Sequence, residues 1–201
     1  MRNHNMLFPQ HHRPCSPAVQ FLVFLIVAVI VIAGFIAFIF YLINPHPPNF
    51  TIKSVSVSPF SISNAQITAA WHILFSLTNP SSKARITCQH VKIFAYYRKT
   101  LLSSSTLPSL HFAENFHGSF SANISASSVL IDNNVANAIV MDWKQGVVQF
   151  NFKVRARIVF EYFTLMKKRR RITVTCENVK IMFNTTGGSM LNGLKNCKID
   201  L

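Results

Sequence analysis

The chain has 201 residues, and its 20 Lys and Arg against 6 Asp and Glu give it a formal net charge of +14. Half of the residues are hydrophobic and only 13% are charged, which is a low charged fraction for a strongly basic soluble protein. This composition disfavours a wholly soluble protein, a disordered chain and a multidomain enzyme, and it favours a small membrane protein with one folded domain.

Residues 21–43 form an apolar stretch without a charged side chain. As a helix rising about 1.5 Å per residue it would span roughly 34 Å, enough to cross a hydrocarbon core of about 30 Å. A cleaved signal peptide is the alternative. It is disfavoured because its apolar region is usually about 7–15 residues long and because no small-x-small cleavage site follows. We therefore predict a transmembrane signal anchor at 21–43, between a disordered tail (1–20) and a linker (44–49).

The orientation of this segment is predicted from the charges and motifs on its two sides. The tail carries Arg2 and Arg13, whereas the first basic residue after the span is Lys53, and positive charge favours the cytosolic side. Three N-x-[ST] acceptor motifs for N-glycosylation all lie beyond the span: Asn49, Asn123 and Asn184. Both features predict a cytosolic tail and a domain outside the cytosol.

Cysteine usage agrees with this arrangement. Cys15 lies just before the span, where reversible palmitoylation and an unmodified thiol are equal alternatives. Cys88, Cys176 and Cys197 lie beyond the span, and three cysteines can form at most one internal disulfide. We favour Cys176–Cys197 because both fall in the predicted C-terminal strands.

Beyond the linker, apolar and polar residues alternate in long runs. Apolar side chains occupy every second position over 67–77 and 148–162, which places each set on one face of a strand. A third run starts at Ile172 and changes phase near Glu177-Asn178, which predicts a bulge. Shorter strands are predicted at 50–58, 86–97, 119–125 and 195–201.

One stretch departs from the alternation. Apolar residues from Val135 to Trp143 are spaced for one side of a short helix, with Asp132 or Asn133 as its N-cap. Several half-buried strands, one short helix and no βαβ repeat predict an all-β fold. We expect an antiparallel β-sandwich of the fibronectin or immunoglobulin type over residues 50–201.

Five segments in order carry a family resemblance: Phe-Thr-Ile-Lys-Ser-Val at 50–55, Leu-Thr-Asn-Pro at 77–80, Val-Lys-Ile-Phe-Ala-Tyr-Tyr-Arg at 91–98, the 148–158 strand, and Cys-Lys-Ile-Asp-Leu at 197–201. In this order the chain resembles the plant harpin-induced-like proteins, which carry a late embryogenesis abundant type-2 (LEA_2) domain. Ser81 stands where that family has the second Asn of its Asn-Pro-Asn signature, and residues 112–118 are only loosely similar to its Phe-Tyr-Gln-Gly segment. The resemblance implies a plasma-membrane protein of plant defence or stress responses whose domain has no enzymatic activity.

The sequence contains none of the motifs that would indicate an enzyme. It has no phosphate-binding glycine loop, no G-x-S-x-G and no H-E-x-x-H, and its acids are few and scattered. His111, Glu114 and His117 would converge on a metal ion only in a helix, which their neighbours do not favour, and no fourth ligand is evident. We therefore predict no catalytic residue, no cofactor and no metal site.

Basic residues are concentrated in one part of the domain. Half of the Lys and Arg residues beyond the span lie between Lys144 and Arg171, against a single acid, Glu161. A solvated hairpin would explain this run; the functional alternative is a surface that binds a polyanion. The candidate residues are three on one strand face and five in a cationic turn: Lys153, Arg155, Arg157, Lys167, Lys168, Arg169, Arg170 and Arg171.

The predicted location decides among polyanions. Nucleic acid is disfavoured because the domain is expected outside the cytosol and no nucleic-acid-binding motif is present. Acidic cell-wall polysaccharide, anionic lipid or another membrane protein fit better. The hypothesis is a single-pass type II plasma-membrane protein whose non-catalytic domain acts in adhesion or signalling. The alternatives are a module that binds or transfers a lipid or small ligand, and a stress-protective domain without a ligand.

Overall fold

A computed structural model describes residues 16–42, 47–162, 166–184, 187–191 and 193–200. The chain divides into two units after residue 44. Cys15, the candidate palmitoylation site, lies outside the described residues.

The described part of the first unit is a single apolar helix, α1 (Pro17–Leu42). An 18-residue window within Pro17–Tyr41 has a mean hydropathy of 3.3, so the helix is long and apolar enough to cross a membrane, a property that an anchor and a signal sequence share. The helix starts earlier than the predicted boundary at Phe21. The carbonyl of Ser16 accepts from the backbone N–H groups of Val19 and Gln20 at 2.9 and 3.2 Å, and Pro17 suits a first helical position.

The second unit consists mainly of strands, with one helix inserted between the sixth and seventh. In the described residues the elements are β1 (Asn49–Ser63), β2 (Gln66–Thr78), β3 (Ala84–Tyr97), β4 (Thr100–Leu107), β5 (Leu110–Phe112), β6 (His117–Leu130), α2 (Asn133–Lys144), β7 (Val147–Tyr162), β8 (Met166–Phe183), β9 (Gly188–Met190), β10 (Lys195–Asn196) and β11 (Lys198–Asp200).

These strands form one antiparallel sheet that folds back on itself. Its order is β4-β3-β7-β8-β9-β1-β2-β6, with β10 beside β1, β11 beside β8 and β5 beside β3. The two ends of the sheet approach each other, and the hydroxyl of Ser103 on β4 donates to the carbonyl of Ser125 on β6. The result is a nearly closed antiparallel β-sandwich, which confirms the predicted fold class.

Aromatic side chains from both halves of the sheet fill the interior. Trp71, Phe75, Phe150, Phe152 and Phe160 are almost completely buried. The rings of Trp71 on β2 and Phe150 on β7 meet edge to face with centroids 5.6 Å apart. Such pairs add about 0.5–1.5 kcal/mol beyond the burial of their area.

The predicted short helix is confirmed as α2. A side-chain oxygen of Asp132, the N-cap, accepts from the backbone N–H of Asn134 at 2.8 Å. Ala136 and Ile139 form the buried side of the helix. The hydroxyl of Tyr97 on β3 donates to Asp142 on α2 at 2.7 Å, so the helix is joined to the sheet by a polar contact as well.

A disulfide joins β8 to the C-terminal segment. Cys176 and Cys197 form this bond with Cα atoms 4.4 Å apart, and the N–H of Cys197 donates to the carbonyl of Phe50 at 3.0 Å. Next to it, β8 has a bulge where its pairing with β7 shifts, and Asn178 has φ +56°. This is the bulge predicted from the change of phase near Glu177-Asn178.

Candidate polyanion-binding face

Strand β7 places three basic side chains on the outside of the sandwich. Phe152, Val154, Ala156 and Ile158 point into the core and are buried, so the residues between them must point outward. These are Lys153, Arg155 and Arg157, of which the two arginines are exposed and the lysine half-buried. The sequence prediction that the three share one strand face agrees with this register.

The neighbouring strands β3 and β8 extend this surface. Lys92 on β3 lies directly opposite Arg155, and Arg171 on β8 lies directly opposite Arg157. Directly opposite residues of an antiparallel pair share a face, with Cβ atoms about 4.5–5.5 Å apart. We define the basic face as the outward side of β3, β7 and β8 that carries Lys92, Lys153, Arg155, Arg157 and Arg171. Lys92 was not among the residues predicted from the sequence.

Two aromatic rings on β3 lie under cations of this face. The guanidinium of Arg155 lies 5.4 Å from the ring centroid of Phe94, and the ammonium of Lys153 lies 5.9 Å from that of Tyr96. Both rings are half-buried on the outward side of β3. Cation–π contacts of this kind restrain the long basic side chains, and they are worth about 0.5–1 kcal/mol at exposed sites.

Three shallow grooves lie along the basic face. One of about 240 Å³ contains Lys92, Arg155, Arg157 and Arg171. A second, of about 260 Å³, lies beside Lys153 and is lined by Tyr96 on β3, by Arg98 and Lys99 of the turn that follows β3, and by the acidic Glu177 on β8. A third, of about 440 Å³, adjoins Lys153 and includes the C-terminal residues 195, 196, 198 and 200. A polymer that follows the face would meet basic side chains in each groove.

The basic run 167–171 is divided between two faces. It was predicted as a cationic turn, but it belongs to β8, which begins at Met166. Lys167, Arg169 and Arg171 are exposed and share the side of Arg157 in register, although Val159, opposite Arg169, is itself buried. Lys168 and Arg170 pair with Phe160 and Ile158, so they lie on the opposite side. The register therefore separates the five predicted residues, because neighbours along a strand point in opposite directions.

Acids near this run are few. Glu161 lies 3.0 Å from the ammonium of Lys167, and the second ion pair in the described residues joins Arg85 to Glu114, also at 3.0 Å. The cations of the basic face take part in neither pair. Exposed ion pairs contribute about 0–1 kcal/mol, so the basic face stands out for its unpaired charge and not for its stability.

The candidate metal ligands are held by separate partners. His111 lies 3.2 Å from the Thr87 hydroxyl and His117 lies 3.3 Å from that of Thr78. The carboxylate of Glu114 accepts from Arg85. Hydrogen bonding to its own backbone and then to Arg85 lowers the pKa of Glu114. Among the described residues no group of three metal-ligating side chains is found.

The free thiol of the domain is poorly suited to nucleophilic chemistry. Cys88 on β3 is buried, and burial raises its pKa to about 12. Because the thiolate is the reactive form, this side chain stays protonated and unreactive at neutral pH.

The three glycosylation motifs lie on exposed asparagines. Asn49 begins β1, Asn123 lies in β6 and Asn184 follows β8. A side-chain oxygen of Asn123 contacts the ring of His72, and one of Asn184 accepts from the N–H of Gly187 at 2.9 Å. The second and third residues of the last motif, 185 and 186, lie outside the described residues.

The chain thus combines an N-terminal apolar helix with an antiparallel β domain that has a basic outer face. The chain is 22% identical over 184 residues to NDR1/HIN1-like protein 10 of Arabidopsis thaliana. The alignment covers 89% of this chain and 81% of that protein. No family model matches the chain. A crystal structure of a protein from Archaeoglobus fulgidus aligns with 66% of this chain and 98% of its own, with 7% identity and a TM-score of 0.33.

Proposed function

We propose that the chain is a harpin-induced-like protein with a LEA_2-type domain, acting in a plant defence or stress response. The similarity to NDR1/HIN1-like protein 10 extends over most of both chains and supports this assignment. The order of the motifs at 50–55, 77–80 and 91–98 supports it independently of overall identity.

In this proposal α1 is an uncleaved anchor in the plasma membrane. The tail is cytosolic and the β domain extracellular, in a single-pass type II arrangement. The apolar length of α1 supports a membrane span. The two arginines before the helix and the glycosylation motifs after it support this orientation.

The domain acts by recognition and not by catalysis, as an adhesion or signalling component that binds acidic polysaccharide of the cell wall. The observation that carries this proposal is the basic face, on which five outward-pointing cations of three adjacent strands have no ion-pair partner among the described residues. A surface that carries only positive charge attracts polyanions and raises their rate of association. The half-buried rings of Phe94 and Tyr96 offer apolar contacts to sugar rings within the same surface.

Affinity chromatography of the full-length chain in neutral detergent tests the proposal. The protein should be retained on immobilised polygalacturonate at low ionic strength and should elute as salt rises, because the Debye length falls to about 8 Å at physiological salt. It should not be retained on a neutral galactan. The double variant Arg155→Glu/Arg157→Glu should lose retention.

A matched variant separates the basic face from net charge. Lys53→Glu/Lys144→Glu makes the same change of charge at exposed lysines on β1 and α2, outside the three strands that carry the face, and should remain bound. Equal loss in both variants would contradict a defined face. Retention on anionic liposomes but not on polygalacturonate would replace the wall polysaccharide by lipid.

A further inference from the structure

Two neighbouring rows of the basic face place a cation directly opposite a cation. Lys92 faces Arg155, and Arg157 faces Arg171. Like charges at directly opposite positions of a sheet are destabilising. Neither ion pair of the described residues involves any of these four side chains, which we call the cationic quartet. The arrangement therefore costs stability in the free protein.

A backbone irregularity gives the quartet a concave setting. The pairing of β3 with β7 shifts between Gln89 and Lys92, and His90 within the shift has φ +51°. Such a bulge bends its strand and redirects the side chains beside it. Next to it lies the groove of about 240 Å³, which is lined by the quartet together with His90 and Thr173.

The chemistry of the groove suits an oxyanion. Three guanidinium groups offer planar pairs of N–H donors that match a carboxylate or phosphate, Lys92 adds an ammonium, and Thr173 adds a hydroxyl. The described lining contains no acidic side chain. The acid nearest in register is Asp200 on β11, which lies opposite Thr173, diagonally across one strand boundary from Arg171 and two strands from Arg155. Strands lie about 4.8 Å apart, so the backbone of Asp200 is roughly 10 Å from that of Arg155 across the sheet, whereas diagonal neighbours such as Asp200 and Arg171 are about 7–8 Å apart.

A carboxylated sugar fits this setting better than a free phosphate. Arg155 is held over the ring of Phe94, which lies next to Tyr96 with ring centroids 6.3 Å apart. These rings form an apolar surface directly beside the cations. A phosphate ion has no apolar group that could pack on this surface, whereas a sugar ring carries C–H groups that can.

We propose that the cationic quartet is the subsite for one carboxylate of an acidic sugar chain, and that the bound carboxylate relieves the repulsion within the quartet. This inference rests on the proposed function and specifies where on the basic face a uronate unit is held. It has a distinctive consequence. Neutralising one member of a like-charge pair removes both the repulsion and a ligand contact, so the free protein becomes more stable while binding becomes weaker.

The test uses the full-length chain in neutral detergent at low ionic strength. Trp71 and Trp143, both in the β domain, report its thermal unfolding by fluorescence, and calorimetry measures the binding of trigalacturonate, neutral trigalactose and inorganic phosphate. Trigalacturonate should raise the unfolding midpoint, whereas trigalactose should not. Arg157→Gln and Arg171→Gln should each raise the midpoint of the free protein by about 1–3 °C and weaken trigalacturonate binding about tenfold.

Two further variants keep the result interpretable. Arg171→Lys retains the charge and should keep the lower midpoint of the wild type. Lys53→Gln removes a charge elsewhere and should change neither the midpoint nor the affinity for trigalacturonate.

Four outcomes would contradict the proposals. If trigalacturonate affinity is unchanged in Arg157→Gln and Arg171→Gln while the wild type is retained on polygalacturonate, the subsite is overturned and the proposed function stands. A lower midpoint in both Gln variants would overturn the repulsion. Phosphate binding as tight as that of trigalacturonate would overturn the assignment to a carboxylated sugar. A wild type that binds neither polygalacturonate nor trigalacturonate would overturn both proposals.

Discussion

The hydroxyl of Tyr97 on β3 donates a hydrogen bond of 2.7 Å to the carboxylate of Asp142 on α2. Tyr97 is buried, and α2 is otherwise joined to the domain mainly through its apolar side. Tyr97→Phe should therefore lower the free energy of unfolding by about 1–2 kcal/mol, since the bond to a charged partner is lost. The shift of the unfolding midpoint would be about 2–6 °C. Tyr96→Phe, on the outward face of the same strand, should change the midpoint by much less.

The same tyrosine predicts a dependence of stability on alkaline pH. Burial, and then the hydrogen bond to Asp142, raise the pKa of Tyr97 from its ordinary value near 10 to about 12. Between these values the unfolded chain has lost the phenol proton that the folded chain keeps, so stability falls as pH rises. Cys88 contributes in the same direction, because burial raises its pKa from 9.0 to about 12.

Denaturant unfolding at pH 9, 10 and 11 measures this slope. The wild type should lose stability steadily, and Tyr97→Phe should lose less over the interval from pH 10 to pH 11. Parallel curves for the two proteins would show that folding does not raise the pKa of Tyr97.

The division of the basic run between two faces predicts unequal effects of equal charge changes. Arg169→Glu/Arg171→Glu alters two exposed side chains that share the side of Arg157 in register, whereas Lys168→Glu/Arg170→Glu alters those on the other side. The first pair should weaken retention on polygalacturonate about tenfold or more, since charge-assisted contacts are lost. The second pair should have only a small effect. If the two variants elute at the same salt concentration, binding depends on the charge of the run and not on the face.

Long alternating runs explain why most of the sheet could be predicted from the sequence. Strand β7 is recognisable because its buried and exposed positions follow one another without a break, and the bulge in β8 shows as a change of phase. Strand β4 was missed. Its sequence, Thr-Leu-Leu-Ser-Ser-Ser-Thr-Leu, is rich in serine, and Leu102 is its one buried residue. Serine has little strand propensity, so its place in the sheet depends on pairing with β3.

The candidate site shows a different limit. The outward direction of Lys153, Arg155 and Arg157 follows from the alternation within one strand. Lys92 could not be assigned to the same surface, because it depends on which strands are neighbours, a non-local property of the fold. The run 167–171 was assigned to a turn because five consecutive charges conceal the period of two that its pairing with β7 reveals.

The disulfide should contribute substantially to stability. Cys176 and Cys197 close a loop with a sequence separation of 21, for which chain entropy predicts about 3 kcal/mol. Cys176→Ser/Cys197→Ser should lower the unfolding midpoint by about 6–12 °C. It should also remove the change in gel mobility that reduction causes in the wild type. Cys88→Ala should keep that change; if it abolished it, Cys88 would be the bonded residue.

Loss of the disulfide, by this variant or by reduction, should also weaken the binding of polygalacturonate at the third groove of the basic face. The disulfide ties β8 to the segment that carries Lys195 and Lys198, and both line the groove beside Lys153. Retention on polygalacturonate should therefore fall on reduction, measured well below the unfolding midpoint. Retention that is indifferent to reduction would place the ligand entirely on β3, β7 and the first part of β8.

The proposed orientation predicts glycans on the β domain. Asn49, Asn123 and Asn184 are exposed, so each can carry a glycan without displacing core residues. The protein expressed in plant cells should migrate faster on a gel after treatment with an N-glycosidase able to remove plant glycans. The triple variant with Gln at these positions should migrate like the treated wild type and be insensitive to the enzyme.

Protease accessibility tests the same orientation from the other side of the membrane. A protease added outside intact cells should leave a tag at the N-terminus intact, and it should digest the tag once the plasma membrane has been permeabilised. Digestion of that tag from outside intact cells would reverse the orientation and remove the wall polysaccharide as a partner, because the basic face would then lie in the cytosol.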